Sequence, residues 1–194
     1  MSTESKDAPV VRSAHPADAA ACLAIYAPFV RETQVSFEVE VPTEEDFELR
    51  IRETMRDYPW LVAECGGRIA GYAYARRHRE RGAYRWSVEV SVFVGDGCRR
   101  TGVGRALYSE LFAILRRQGF ANAYAGIALP NDASVSFHES MGFAPVGVYR
   151  KVGFKLGRWH DVGWWSLRLT DDEAAPVDPI PYGDLSGGQD ARRC

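Results

Sequence analysis

Two rhythms of apolar residues run along the chain, one of period two and one close to 3.6, and together they predict its elements. Val10-Val11-Arg12 reads as a short first strand. Pro16 suits the opening turn of a helix, and Ala19, Cys22, Tyr26 and Phe29 recur at helical spacing, predicting helix over about 17–30. Thr43 before Glu44, Glu45 and Asp46 is an N-cap followed by acids that suit the positive helix end. Phe47, Ile51 and Met55 then share one face, and Pro59 stops the helix. Trp60–Glu64 and Ile69–Ala75 read as strands joined at Gly66-Gly67, a hairpin signal. Ser87–Val94 alternates and is rich in β-branched residues, so it is read as a strand. Gly102 and Gly104 open a helix with Leu107, Leu111 and Leu115 on one face, and Gly119 suits its left-handed cap. Ala121–Ile127 is a further strand, Asn131 caps a short helix ending at Gly142, and Val146–Val152 and Val162–Leu169 complete the strands. This order predicts one α+β domain over residues 8–170, built on a twisted mixed sheet flanked by helices. From Asp171 to Cys194 the apolar rhythm stops and three prolines and three glycines enter, which predicts a disordered tail over 171–194.

Composition narrows the function classes. The 194 residues carry a net charge of −2, which excludes a chain that binds nucleic acid through its overall charge. No window approaches the roughly 18–20 apolar residues of a membrane span. The first ten residues are polar and mixed in charge, which predicts no secretory signal. Cys22, Cys65, Cys98 and Cys194 are scattered without a CxxC pair, so neither a zinc site nor a disulfide framework is expected. A reducing, cytoplasmic setting fits that usage. The near-zero charge is a cancellation: residues 38–57 hold eight acids against three arginines, and residues 76–85 hold five arginines against one acid.

The stretch Val90-Ser91-Val92-Phe93-Val94 followed by Arg99-Arg100-Thr101-Gly102-Val103-Gly104-Arg105 carries the first chemistry. Glycines let backbone approach a ligand, and free N–H groups at a helix start make an anion site, with a pyrophosphate as the natural occupant. A Walker A loop needs Gly-Lys-Ser/Thr, which is absent. A dinucleotide loop needs a third glycine, where Leu107 stands, and an acid near Asn122. The pattern Arg-x-x-Gly-x-Gly instead resembles the acyl-CoA loop of the GNAT acetyltransferase superfamily. The segment from Leu129 through Asn131 and His138 to Gly142-Phe143 resembles that superfamily's second CoA-side motif. Tyr58–Glu64, Trp86–Glu89, Arg100–Gly104, Leu129–Asp132 and Gly157–Gly163 together resemble the phosphinothricin N-acetyltransferase family over about residues 10–169.

The resemblance implies a GNAT-like fold, acetyl-CoA as donor with no metal, a small amino-acid acceptor such as phosphinothricin or methionine sulfoximine, and a homodimer. An ammonium must lose a proton before it attacks a thioester. Glu89 lies within an apolar strand among Val88, Val90 and Val92, where burial would raise its pKa and make it a base. The other reading of Glu89 is a carboxylate on the polar face of a strand. By resemblance it is the general base of a direct transfer. His138 is either a group that steadies the thioester or protonates the leaving thiolate, or a packed histidine beside Val135 and Met141. Backbone groups of Val92, Phe93 and Val94 are expected to take the pantetheine arm as a sheet edge takes a peptide. Arg99, Arg100, Thr101, Gly102, Val103, Gly104 and Arg105 are expected at the pyrophosphate, and Asn131 at the pantetheine. Resemblance also puts Phe37, Arg79, Arg81 and Tyr84 at the acceptor. Arg85 matches the methionine-sulfoximine-type relatives, while Arg76 and Arg77 depart from the family pattern. A broader small-amine or protein acetyltransferase and a non-catalytic CoA-binding module are the alternatives.

Overall fold

The computed structural model describes residues 8–171 and 175–185. Its strands are β1 (Val10–Ser13), β2 (Trp60–Cys65), β3 (Arg68–Arg77), β4 (Ser87–Val94), β5 (Asn122–Leu129), β6 (Ala144–Lys155) and β7 (Arg158–Arg168). Its helices are α1 (Ala19–Glu32), α2 (Glu44–Asp57), α3 (Val103–Gln118) and α4 (Asp132–Ser140). Pro16 opens a short 3-10 turn before α1 rather than α1 itself. Thr43 caps α2 by a reciprocal bond with Asp46. The expected strands near 146–152 and 162–169 are one long hairpin, and its turn takes positive φ at Leu156 and Gly157.

The seven strands form one sheet in the order β1-β2-β3-β4-β5-β7-β6. Strict alternation gives it two buried faces. Trp60, Val62 and Tyr72 pack under α1 and α2 with Cys22, Tyr26, Phe47 and Ile51. Leu61, Ala63, Ala73, Val88 and Val90 pack under α3 with Leu107, Leu111 and Leu115. Each of those three leucines is fully buried, and such burial contributes about 1.5–3 kcal/mol per side chain. The sheet is mixed because β4 and β5 run parallel while every other neighbouring pair is antiparallel. That parallel pairing is brief. Ser87, Val88 and Glu89 meet Asn122, Ala123 and Tyr124, and beyond them the strands part.

The expectation of a tail from residue 171 is corrected for residues 175–185, which dock on the domain. Ile180 N–H donates to Gln118 O at 2.8 Å, and Gln118 Nε2 donates back to Ile180 O. Trp86 Nε1 donates to Val177 O, and Tyr182 is buried with its hydroxyl on Ser13. The segment binds through backbone groups and single side chains, so it shows no apolar period. Residues 172–174 and 186–194 lie outside the described residues. Among the described residues, no helix is long and apolar enough to cross a membrane.

Candidate active site

The parting of β4 and β5 creates the site. Gly95 N–H donates to Ala70 O of β3, and Trp86 O accepts from Asn122 N at the start of β5. Backbone groups alternate sides along a strand. Val90, Val92 and Val94 therefore turn their N–H and C=O toward the gap, while Ser91 and Phe93 turn theirs toward β3. Phe93, expected to offer its backbone, instead places its ring against Tyr26, Phe29 and Tyr72 under α1. The free edge thus belongs to Val92 and Val94.

At the end of that edge stands the start of α3. Gly102 takes φ +91°, a left-handed conformation suited to glycine, and no atom lies within 4 Å of where a Cβ would stand. No side chain caps the helix, so the first-turn N–H groups, including those of Val103, Gly104 and Arg105, remain available. Thr101 closes the preceding turn through its hydroxyl on Cys98 O. Arg100, at φ 61°, is exposed beside the helix start. Arg105 reaches Ser140 of α4 at 3.2 Å, and Gly104 sits against the Phe137 ring of that helix. Arg99 turns elsewhere: it pairs with Asp96 and lies over the Phe29 ring of α1. Asn131 caps α4 by accepting from Ser134 N–H.

On the other side of the gap, Glu89 lines a cavity of about 170 Å³ with Arg76, Ser91, Val35, Phe37, Gly126, Val162 and Trp164. The valines around Glu89 in sequence are not its neighbours in space. Val88 and Val90 point to α3, whereas Glu89 shares its face with Ser91 and Phe93. It is 8% exposed, and three side chains converge on it. Arg76, its cross-strand partner, donates from Nε and Nη2 to Oε2 at 3.1 and 2.7 Å. His78 Nδ1 lies 3.2 Å from Oε1, with its ring stacked on Tyr124. Arg79 lies 3.7 Å from Oε1 and over the Trp164 ring.

Phe37 lies across β6, so close to Gly153 that a Cβ there would stand 2.2 Å from the ring. Tyr84 stands edge-on to His78. Arg81 and Arg85 are not among the residues that line the Glu89 cavity. Both, with Arg79, line a cleft beside the docked C-terminal segment. Arg85 pairs with Asp178 at 2.8 Å and covers the Trp86 ring. Arg76, His78 and Trp164 were missed by reading the sequence. The signal for Arg76 lay in the hairpin register, which sets it opposite Glu89.

Of the two readings of His138, the packed one matches its surroundings. It is 5% exposed, Tyr108 Oη lies 3.0 Å from Nε2, and Nδ1 lies 2.8 Å from Ser134 O. With Nδ1 protonated, it donates to that carbonyl while Nε2 accepts from the tyrosine. Both nitrogens are occupied and the ring packs edge-on against Phe137 and Phe143. Burial lowers its pKa below the usual 6.5, with the Ser134 bond opposing. The unfolded chain therefore binds the proton more readily than the folded one. The stability tied to the neutral ring is complete above pH 6.5 and falls as pH drops below it. Thermal melts should decline more steeply below pH 6.5 for wild type than for His138→Phe; parallel declines would refute this.

Among the described residues, no group of three or more His, Cys, Asp or Glu side chains could hold a metal ion. The acetyltransferase (GNAT) domain model matches residues 11–164. The chain is 39% identical to a phosphinothricin N-acetyltransferase of Streptomyces viridochromogenes, covering 88% of this chain and 91% of that one. It is 36% identical to the L-methionine sulfoximine/L-methionine sulfone acetyltransferase of Salmonella typhimurium, over 86% and 97% of the two chains. A phosphinothricin acetyltransferase from Sinorhizobium meliloti, solved in complex with acetyl-CoA, superposes with TM-score 0.82 at 33% identity, over 91% and 96% of the chains. A free strand edge, the uncapped helix start at its end and a carboxylate-lined cavity border the parted strands β4 and β5, and with these matches the chain belongs to the GNAT acetyltransferase family.

Proposed function

We propose that this enzyme transfers the acetyl group of acetyl-CoA directly to the amino group of phosphinothricin, methionine sulfoximine or a similar small amino acid, with Glu89 as general base. The observation that carries the reading is the Glu89 cavity, which is bordered by Val90 of β4 and Gly126 of β5, the two strands that part. The gap therefore joins the carboxylate to the free edge of Val92 and Val94.

The residues present fit acetyl-CoA. The first-turn N–H groups of α3, with Arg100 and Arg105, suit the pyrophosphate. The Val92 and Val94 backbone suits the amide-bearing pantetheine arm, and the Asn131 side-chain amide, whose oxygen caps α4, is suited to donate to it. The bound thioester supplies an activated acetyl carbon. Glu89 takes a proton from the acceptor ammonium, directly or through one water. The freed amine forms the C–N bond, the C–S bond breaks, and its electron pair leaves on sulfur. The second amine proton is lost as the amide forms, and the thiolate is protonated from solvent. Backbone N–H groups of the β4 edge are suited to steady the carbonyl oxygen. A cavity of about 170 Å³ fits an acceptor smaller than the ligands of roughly 300–1,000 Å³ pockets. Arg76 and Arg79 favour an anionic acceptor over a basic peptide.

A homodimer is part of this reading. Val146, Val148, Phe154 and Trp159 of the β6–β7 hairpin are each 44–60% exposed, an apolar surface that a second copy would cover. Sedimentation velocity should give twice the chain mass, and a monomer at micromolar concentration would refute it.

The test of function is release of free thiol from acetyl-CoA. Phosphinothricin, methionine sulfoximine and methionine sulfone should support turnover, and a lysine-containing peptide should not. Turnover on the peptide alone would favour a protein acetyltransferase, and binding of CoA without thiol release would leave only a CoA-binding module.

A further inference from the structure

We propose that Arg76 is the acceptor's carboxylate clamp: its outer edge binds the α-carboxylate while its inner edge holds Glu89, so an amine is set against the base only when an acid group stands beside it. This rests on the acetyltransferase reading and names the acceptor chemistry of the same cavity. Arg76 is the one cation among the residues that line the cavity. Arg81 and Arg85 face the other cleft, and Arg79 reaches Glu89 only at 3.7 Å.

The guanidinium geometry leaves room for a second anion. Nε and Nη2 both donate to Oε2 of Glu89, whereas Nη1 makes no hydrogen bond within the described residues. The Arg76 side chain is 61% exposed and that of Glu89 is 11% exposed. A planar guanidinium carries five N–H donors and accepts carboxylates along an edge in a bidentate manner. The Nη1/Nη2 edge can therefore take a ligand carboxylate while the Nε/Nη2 edge keeps the Glu89 bond. In an α-amino acid the ammonium and the carboxylate share one carbon. A carboxylate on the outer edge thus holds the ammonium near the carboxylate on the inner edge. The charges also match: one arginine lies between two carboxylates, and the acceptor brings its own ammonium to the second. An amine without a neighbouring acid group finds no anchor and leaves the Arg76–Glu89 pair undisturbed.

The test compares L-methionine sulfone with its carboxamide in wild type and in Arg76→Gln. In wild type, kcat/KM should favour the acid by about 10–100-fold, the value of a charge-assisted hydrogen bond. In Arg76→Gln that preference should collapse toward equality, through a raised KM for the acid and little change in KM for acetyl-CoA. Arg76→Lys should restore part of the preference. Calorimetric titration of methionine sulfone into the CoA complex should show the same loss without any turnover. Equal losses on acid and amide would overturn the proposal, because Arg76 would then act only through Glu89. Wild type that releases no thiol with any amino acid would overturn the acetyltransferase reading, and the clamp with it. Turnover that ignores the carboxylate in both proteins would overturn the clamp alone.

Discussion

Replacing Glu89 by glutamine is expected to lower kcat by about 10²–10⁴-fold, the range that a positioned general base contributes. Glutamine keeps the shape and offers Arg76 a carbonyl oxygen in place of Oε2, so the local packing is retained. What is lost is the ability to take the ammonium proton. KM for acetyl-CoA should not move, because the Glu89 side chain sits on the α1–α2 face of β4, whereas the free edge offers backbone groups and α3 packs on the opposite face. Raising pH should rescue the variant in part, since more acceptor then arrives already deprotonated. Thiol release measured across pH checks this, and wild-type turnover throughout would remove Glu89 as the base.

The second large effect is expected at a residue that touches no reacting atom. Lys155 is 6% exposed, and its ammonium donates to Val30 O at 2.6 Å and Ser36 O at 2.7 Å. Val30 lies in the last turn of α1, where carbonyls lack intrahelical partners and a cation opposes the negative helix end. Ser36 immediately precedes Phe37, which rests across Gly153 on the same strand as Lys155. Lys155 thus ties the helix end and the cavity wall to β6. Lys155→Met keeps most of the side-chain volume but leaves two carbonyls without their donor. At about 1–3 kcal/mol for each unsatisfied group, a loss of about 3 kcal/mol is expected. For a chain of this size that lowers Tm by about 6–12 °C. The acceptor KM should rise with it as Phe37 loses its support, while the acetyl-CoA KM stays. Calorimetry and acceptor titration read the two effects, and an unchanged Tm would show that water replaces the ammonium.

Much of the site was legible along the chain. The alternation over 87–94 announces β4, and the glycine turn after it announces a helix start without a side-chain cap. Glu89 stood out as an acid within an apolar strand, although the reason given was incomplete, since its valine neighbours face the opposite layer. Long-range partners are what the chain does not show. Resemblance matches Arg85 to the methionine-sulfoximine-type relatives, and its partner in the fold is Asp178, 93 residues away. Sequence leaves His138 open between chemistry and packing, and Tyr108 and Ser134 occupy both of its nitrogens in the fold. The segment near Tyr182 carried no period because it binds through backbone groups and isolated side chains.

The sequence by itself determined the elements, the two-faced sheet and the glycine-rich helix start, because period, capping and left-handed turns are properties of neighbouring residues. Only the tertiary structure decided what surrounds Glu89. Arg76 reaches it through the β3–β4 register, and His78 and Arg79 follow from the path of the loop beyond β3. Trp164 and Phe37 close the cavity from β7 and from the loop after α1. Those contacts join residues far apart in the chain, and their partners are selected by strand register and packing rather than by local preference.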